Sequence, residues 1–166
     1  VGERYFMLFN VSDLLNLHEI VAKARQNLNQ NDWDYIAGGA ESETTLRRNR
    51  LALETLAFRP RILRDVGNVD ASTNQFGRKL RLPLIFAPVG SLESFHPGAA
   101  GEIVRATGAF GIAHMMSSVT EPGLEEVAKA APDALRIFQL YVRGDDAFVN
   151  DHVERAIKNG YTAFCF

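Results

Sequence analysis

The sequence predicts an α/β fold built on a parallel sheet, and three features predict it: a repeating strand–helix rhythm, helix-boundary residues at the right offsets, and a first region that lacks the rhythm. Short apolar runs at Leu84–Ala87, Ile112–Met116, Arg136–Leu140 and Tyr161–Phe166 are each separated by one amphipathic pattern. The unit is roughly 25–30 residues long, and strand–helix units of that size lay their strands side by side in parallel. The rhythm starts near Leu82-Pro83, so residues 1–82 read as a cover segment and residues 83–166 as the sheet-bearing segment.

Within the cover, Leu17, Ile20, Val21, Ala24 and Leu28 recur at helical spacing, and Ser42 precedes a second such stretch with Leu46, Leu51, Leu53 and Leu56. Gly38-Gly39 breaks the pattern between them. From Phe58 to Leu82 the chain reads as extended segments with turns, with a hairpin expected around Phe76-Gly77-Arg78.

In the rhythmic half, Pro97 suits a first helical position, Ile103, Ala106 and Phe110 form one face, and Gly111 suits the residue past the end. Thr120-Glu121-Pro122 opens the next helix, whose face is Leu124, Val127, Ala128 and Ala131. Asp145-Asp146 opens the third, with Val149, Val153, Ala156 and Ile157 inward and Asn159-Gly160 closing it.

An eight-stranded (β/α)8 barrel of about 250 residues needs eight such units, and this chain supplies four. A four-strand piece leaves two sheet edges unpaired. The chain is therefore expected to be a fragment, one piece of a nicked polypeptide, or the ordered part of a longer chain.

Composition removes several function classes. With 166 residues, 46% hydrophobic, the chain can bury a core. Its net charge of -2, pI near 6.1 and lack of a basic stripe argue against nucleic-acid binding. Cys165 is the only cysteine, which rules out an internal disulfide framework and suits a reducing compartment, with a cytoplasmic location as the expectation, or a peroxisomal or mitochondrial one in a eukaryote. The apolar opening, Val1–Asn10, is too short for a membrane span and lacks a cleavage site, and Asn10-Val11-Ser12 fits a glycosylation acceptor by chance. His18-Glu19 begins a zinc-protease pattern that fails at Ala22, and no G-x-G-x-x-G or P-loop pattern is present.

Working residues of a parallel barrel lie at the C-terminal ends of its strands. Just past the apolar runs stand Pro88-Val89-Gly90, Ser117-Ser118, Gln139 and Tyr141. Gly90 permits close backbone approach, while Ser117 and Gln139 can donate and accept hydrogen bonds along the edge of a planar polar heterocycle. A Ser-Ser at a strand end is also an ordinary helix-entry turn, and Gln139 could satisfy a backbone group of the barrel. Pattern alone names no cofactor. None of His18, His96, His114 and His152 is assigned as a general base: His96 reads as a cap, His152 as helical, and His114 as packed within a strand.

Several strings in order resemble one family. They are D-Y-I-A-G-G-A-E-S-E-T-T-L-R-R-N-R-L-A-L from Asp34 to Leu53, F-R-P-R-I-L-R-D-V from Phe58 to Val66, I-F-A-P from Ile85 to Pro88, His96-Pro97, Ser117-Ser118, and F-Q-L-Y-V from Phe138 to Val142. Together they resemble the FMN-dependent 2-hydroxy-acid dehydrogenases and oxidases of the glycolate oxidase, lactate oxidase and mandelate dehydrogenase type, from about Val11 to the last residue. The resemblance implies a TIM barrel with an N-terminal helical cover, FMN as cofactor, oxidation of an L-2-hydroxy acid to a 2-keto acid, and a homotetramer or other homo-oligomer. It implies that Pro88, Val89 and Gly90 run beside the isoalloxazine ring, that Ser117 and Gln139 hydrogen-bond it, and that Tyr141 faces the substrate. The family's base histidine, carboxylate-clamping arginines and flavin lysine are expected in a C-terminal half of the same barrel, so no catalytic residue is assigned within this chain, and the fragment alone is expected to be inactive.

Two departures bear on the substrate. Trp33 stands where the family commonly has a tyrosine that binds the substrate carboxylate, and a lost hydrogen bond to a charged group costs about 1.5–3 kcal/mol. Trp33 also reads simply as a packed aromatic of the cover. Val119 stands where glycolate oxidase-like members carry a bulky aromatic, which suggests room for a substrate larger than glycolate. Two other readings stand beside this one: an isopentenyl diphosphate isomerase barrel, against which the Asp34–Leu53 string argues, and a non-catalytic half-barrel that binds a partner.

Overall fold

The computed structural model of the chain describes residues 13–166. The stretch Val1–Asn10 and the Asn10-Val11-Ser12 triplet lie outside them. The chain divides into two compact units, Val1–Arg64 and Asp65–Phe166.

The first unit carries α1 (Leu17–Asn27), α2 (Gln30–Ala37) and α3 (Thr44–Glu54). Asn16 caps α1 by accepting the Glu19 N–H at 3.1 Å, and the Glu19 carboxylate returns to the Leu15 N–H at 2.8 Å, so one donor of the first turn and one just ahead of the helix are satisfied. Asn29 does the same for α2, accepting the Asp32 N–H at 2.9 Å. That second cap explains why the helical pattern running up to Gly38 is two helices: the chain turns extended at Leu28 and Asn29.

The second unit opens with an antiparallel hairpin, β1 (Thr73–Gln75) and β2 (Arg78–Leu80). Its two-residue turn needs positive φ at both central positions, and Phe76 and Gly77 supply φ of 50° and 73°. Four parallel strands follow in the order β3 (Ile85–Phe86), β4 (Ala113–Ser117), β5 (Arg136–Gln139), β6 (Ala163–Cys165). They alternate with α4 (Ala99–Phe110), α5 (Leu124–Ala130) and α6 (Asp146–Lys158). The order runs sequentially across the sheet, as half a (β/α)8 barrel requires.

Strand alternation sends neighbouring side chains to opposite faces. His114, Met116, Phe138 and Phe164 share the face packed under the helices, where Met116 and Phe138 join Ala100 and Val104 of α4, Leu124 and Val127 of α5, and Ala156 of α6. Phe138 is 1% exposed and sits edge-on to Tyr161 and Phe164 at centroid distances of 5.7 and 5.5 Å. The opposite face carries Ile85, Met115, Ile137, Ser117, Gln139 and Cys165.

The hairpin covers one end of this sheet. Leu80 buries with Ala113, the first residue of β4, and Leu135, just before β5. Arg81 donates its N–H to the Gly111 carbonyl at 2.8 Å, and the Arg78 guanidinium donates to the Asp133 carbonyl. All of these partners lie at the N-terminal ends of the strands, so the C-terminal ends remain uncovered by the hairpin.

Two helix faces differ from the sequence expectation. On α4 the buried stripe is Ala100, Val104 and Thr107, whereas Ala106 and Phe110 are exposed and Ile103 is half-buried. The reason is close packing through small residues: a Cβ on Gly108 would stand 3.0 Å from the Ala134 Cβ, so the helix turns its glycine side inward. Phe110 lies instead beneath the Arg81 guanidinium, 4.6 Å from the ring centre. On α6, Ala156 is buried but Ile157 is 69% exposed. His152 takes the inward place, with its ring 4.2 Å from that of Phe148 and stacked on Phe138 at 6.3 Å.

Arg136 begins β5 yet is buried at 4% exposure on the helix-facing side. It donates to the carbonyls of Ala131, Pro132 and Asn159, which lie beyond the C-terminal ends of α5 and α6, where a cation also meets the negative ends of the helix dipoles. Among the described residues no helix is long and apolar enough to cross a membrane, and no group of three or more side chains could hold a metal ion.

His114, the register partner of Arg136, is 2% exposed, and its Nδ1 has no hydrogen-bond partner. Burial pushes its imidazole down from 6.5 to about 4, so it is neutral in the fold. The unfolded chain binds a proton there below about 6.5, so the contribution is intact above that pH and lost as pH falls towards about 4. We expect H114L to flatten the decline of thermal midpoint between pH 6.5 and 4 measured by calorimetry; an unchanged slope would show that His114 does not titrate on unfolding.

Candidate functional site

The parallel register aligns the strand ends. Ser117 pairs with Gln139, and Gln139 with Cys165, so three consecutive strands place these side chains on one rung and one face. The ladder continues one step beyond the strands: the Ser118 N–H donates to the Gln139 carbonyl at 2.9 Å and the Leu140 N–H to the Cys165 carbonyl at 2.8 Å. This holds the loop starts at a common level.

The loop after β3 joins the same edge. Pro88, Val89 and Gly90 are half-buried, and the next residue, Ser91, donates its N–H to the Val119 carbonyl at 2.9 Å. A Cβ on Gly90 would stand 2.9 Å from the Val119 Cγ2, so the loops meet at van der Waals contact only because position 90 is glycine. Val119 is held in turn by its N–H, which donates to the Ser117 Oγ at 3.3 Å. Gly90, Val119, Ser117 and Gln139 therefore form one connected strand-end cluster, in which Ser117 is buried at 2% exposure and Gly90 and Gln139 are half-buried.

Tyr141 follows on the loop after β5. Its N–H donates to the Ser118 Oγ at 3.0 Å, while its side chain is 53% exposed. Ser118 thus ties two loops together. Strand alternation is the signal that could have separated their jobs: the first serine shares the face of Gln139, and the second reaches sideways to the next loop.

Trp33 belongs to the first unit, on α2, where the Arg25 guanidinium lies 5.2 Å from its ring centre. The structure gives this tryptophan a cation–π partner of its own within that unit.

Ser91 and Glu93 carry no sequence signal, and Thr120, expected with Glu121-Pro122 to open a helix, lies ahead of α5, which begins at Leu124 after its cap Gly123. The Leu92 N–H donates to the Thr120 Oγ1 at 3.2 Å, the Thr120 hydroxyl donates to the Glu93 carboxylate at 3.2 Å, and the Glu121 N–H donates to the same carboxylate oxygen at 3.0 Å. Burial raises the Glu93 carboxyl, but the donors outweigh it and hold the group below its ordinary value. A link across 27 residues between a glutamate and a threonine leaves no periodic trace, which is why no pattern could find it.

No histidine lies on the rung of Ser117 and Gln139. His114 faces the helices, His152 packs on Phe148, His96 accepts the Gly98 N–H at 3.0 Å, and His18 lies 3.4 Å from Arg50 in the first unit. What the edge offers is hydrogen bonding without a strong acid or base. Ser117 is a hydroxyl, Gln139 an amide with both donor and acceptor, and Gly90 a half-buried stretch of backbone without a side chain. This donor set fits the polar edge of a flat heterocycle better than it fits a phosphate or a metal ion.

Comparison with known proteins identifies the family. The family model described as FMN-dependent dehydrogenase matches residues 24–166. Glycolate oxidase 1 of Zea mays is 39% identical over 153 residues, covering 92% of this chain and 41% of the relative. The glycolate oxidase of Spinacia oleracea is also 39% identical, over 151 residues, covering 91% of this chain and 41% of the relative. Among solved structures, a mandelate oxidase mutant with (S)-mandelic acid superposes with a TM-score of 0.84 at 32% identity, covering 91% of this chain and 44% of that one. A flavocytochrome b2 double mutant with sulfite bound gives a TM-score of 0.87 at 29% identity, covering 95% and 42%. The chain thus spans about two fifths of the length of the curated relatives it matches. It belongs to the FMN-dependent dehydrogenase family.

Proposed function

We propose that this chain supplies part of the flavin and substrate site of an enzyme that oxidises an L-2-hydroxy acid to a 2-keto acid. The observation that carries the reading is the single strand-end edge on which Gly90, Ser117 and Gln139 are brought together. When bound, FMN supplies the two-electron redox step. The residues here would hold and orient it: Ser117 and Gln139 by hydrogen bonds at the ring edge, and Pro88, Val89 and Gly90 by close backbone approach. Tyr141, half-exposed at the same mouth, would meet the substrate, and a substrate role for Trp33 rests on the family resemblance alone. The base, the carboxylate clamp and the remaining barrel strands are proposed to come from further polypeptide. The open edge of β3, where Ile85 and Phe86 are 43% and 41% exposed, supports a sheet that continues there. A homo-oligomer is part of the same reading, on family resemblance alone.

Substrate size is the second element. Val119 touches the place of the absent Gly90 Cβ and leaves the mouth without a bulky ring at that position. A 2-hydroxy acid larger than glycolate is therefore proposed, and the likeness to a mandelate oxidase structure supports it, whereas the identity to glycolate oxidases points the other way.

Two outcomes are expected of the flavoprotein that carries this chain. Its visible flavin absorption should bleach anaerobically on adding L-lactate or L-mandelate; colourless material that binds no FMN would favour a non-catalytic half-barrel. V119W should lower kcat/KM for L-mandelate relative to glycolate by about tenfold or more, the scale of roughly one to three kcal/mol that pocket shape commands. A native enzyme that prefers glycolate to aromatic or long-chain 2-hydroxy acids would contradict the size argument.

A further inference from the structure

Ser91 holds a left-handed backbone, φ 55° and ψ 32°, although it is not glycine. Such conformations persist only where the surroundings over-determine them. Here the surroundings are the loop after β4. The Ser91 N–H is taken by the Val119 carbonyl, the Leu92 N–H by the Thr120 hydroxyl oxygen, and the Glu121 N–H by the Glu93 carboxylate, which also accepts the Thr120 hydroxyl proton. Each loop thereby satisfies a backbone donor of the other with a side chain. Thr120 is 7% exposed, its hydroxyl also lies 3.4 Å from the Glu121 carbonyl, and Glu93 reaches it from the exposed side of the seam. The seam ends at Gly90 and Val119, where no room remains for a Cβ.

We propose that Glu93 and Thr120 form a latch between the loops after β3 and β4 that fixes the backbone at Gly90 and Ser91 and thereby sets how that backbone meets the flavin. The proposal rests on the flavin-site reading given above. Glu93 touches neither flavin nor substrate in this arrangement; it acts through Ser91 and is a positioning residue. The ordinary alternative is a surface glutamate in a short 3-10 turn, Leu92–Ser94, that happens to lie near a threonine. Two donors arriving from residues 120 and 121, both on the facing loop, are more than that alternative requires.

The test uses the full flavoprotein and the substitutions E93A, E93Q and T120V. Wild-type FMN binding and substrate bleaching are measured first, then FMN dissociation constants by flavin fluorescence, the position of the visible flavin band, and amide hydrogen exchange across residues 90–93 and 119–121. Losing hydrogen bonds to a charged acceptor predicts exchange faster by about tenfold or more and FMN looser by about tenfold in E93A and T120V. E93Q, whose amide oxygen still accepts but carries no charge, should fall between wild type and E93A. If wild type binds and bleaches while E93A and T120V match it in exchange and affinity, the latch falls and the flavin-site reading stands. If E93Q loses as much as E93A, a hydrogen-bonded latch is also wrong. If wild type holds no flavin, both the reading and the latch fall.

Discussion

The register of the parallel ladder is the constraint on which the site depends. Side chains in a strand alternate, so a slip of one residue between β4 and β5 would turn Ser117 or Gln139 into the helix layer and bring an apolar neighbour to the mouth. The helix-facing core prevents that slip. Met116 and Phe138 are register partners on the buried face, 2% and 1% exposed, and their places under α4, α5 and α6 fix which residues appear on the other side. Polar chemistry at the strand ends is thus a consequence of apolar packing one residue earlier in each strand.

The two ends of the sheet are used differently. At the N-terminal end the hairpin closes over Ala113 and Leu135 through Leu80, and Arg136 gathers carbonyls that follow α5 and α6. At the C-terminal end the loops are stitched to one another and leave side chains facing outward: Ser91 to Val119, Val119 to Ser117, Tyr141 to Ser118. One end is built for cohesion, and the other holds a donor set in place, with Ser117 buried at 2% exposure, Gln139 half-buried and Tyr141 exposed. Rigid loops matter here because a mobile loop would have to be ordered each time a ligand binds.

Much of this was legible in the sequence, for reasons that differ from element to element. The strands could be read because each is a short apolar run bounded by turn residues, and Gly111 and Asp145 announced helix ends through their backbone and capping chemistry. The α4 face was misread because hydrophobicity points to Ile103 and Phe110, while the fold selects small residues that let helix and sheet approach closely. Ile157 and His152 exchanged places for a similar reason, since an aromatic stack on Phe138 outweighs hydropathy at that turn. The strand-end residues Gly90, Ser117 and Gln139 could be located because parallel barrels put their chemistry there, but the bonds that hold them, through Ser118, Thr120 and Glu93, depend on loop geometry that carries no period.

The most direct test of the central claim, that these strand ends meet one flavin edge, is FMN titration of apoprotein carrying Ser117→Ala or Gln139→Leu. Each substitution removes one ring-edge partner from the same rung, so each is expected to loosen FMN by roughly fivefold to tenfold, the scale of about one neutral hydrogen bond, without a large fall in thermal midpoint. FMN affinity equal to wild type in both variants would contradict the account.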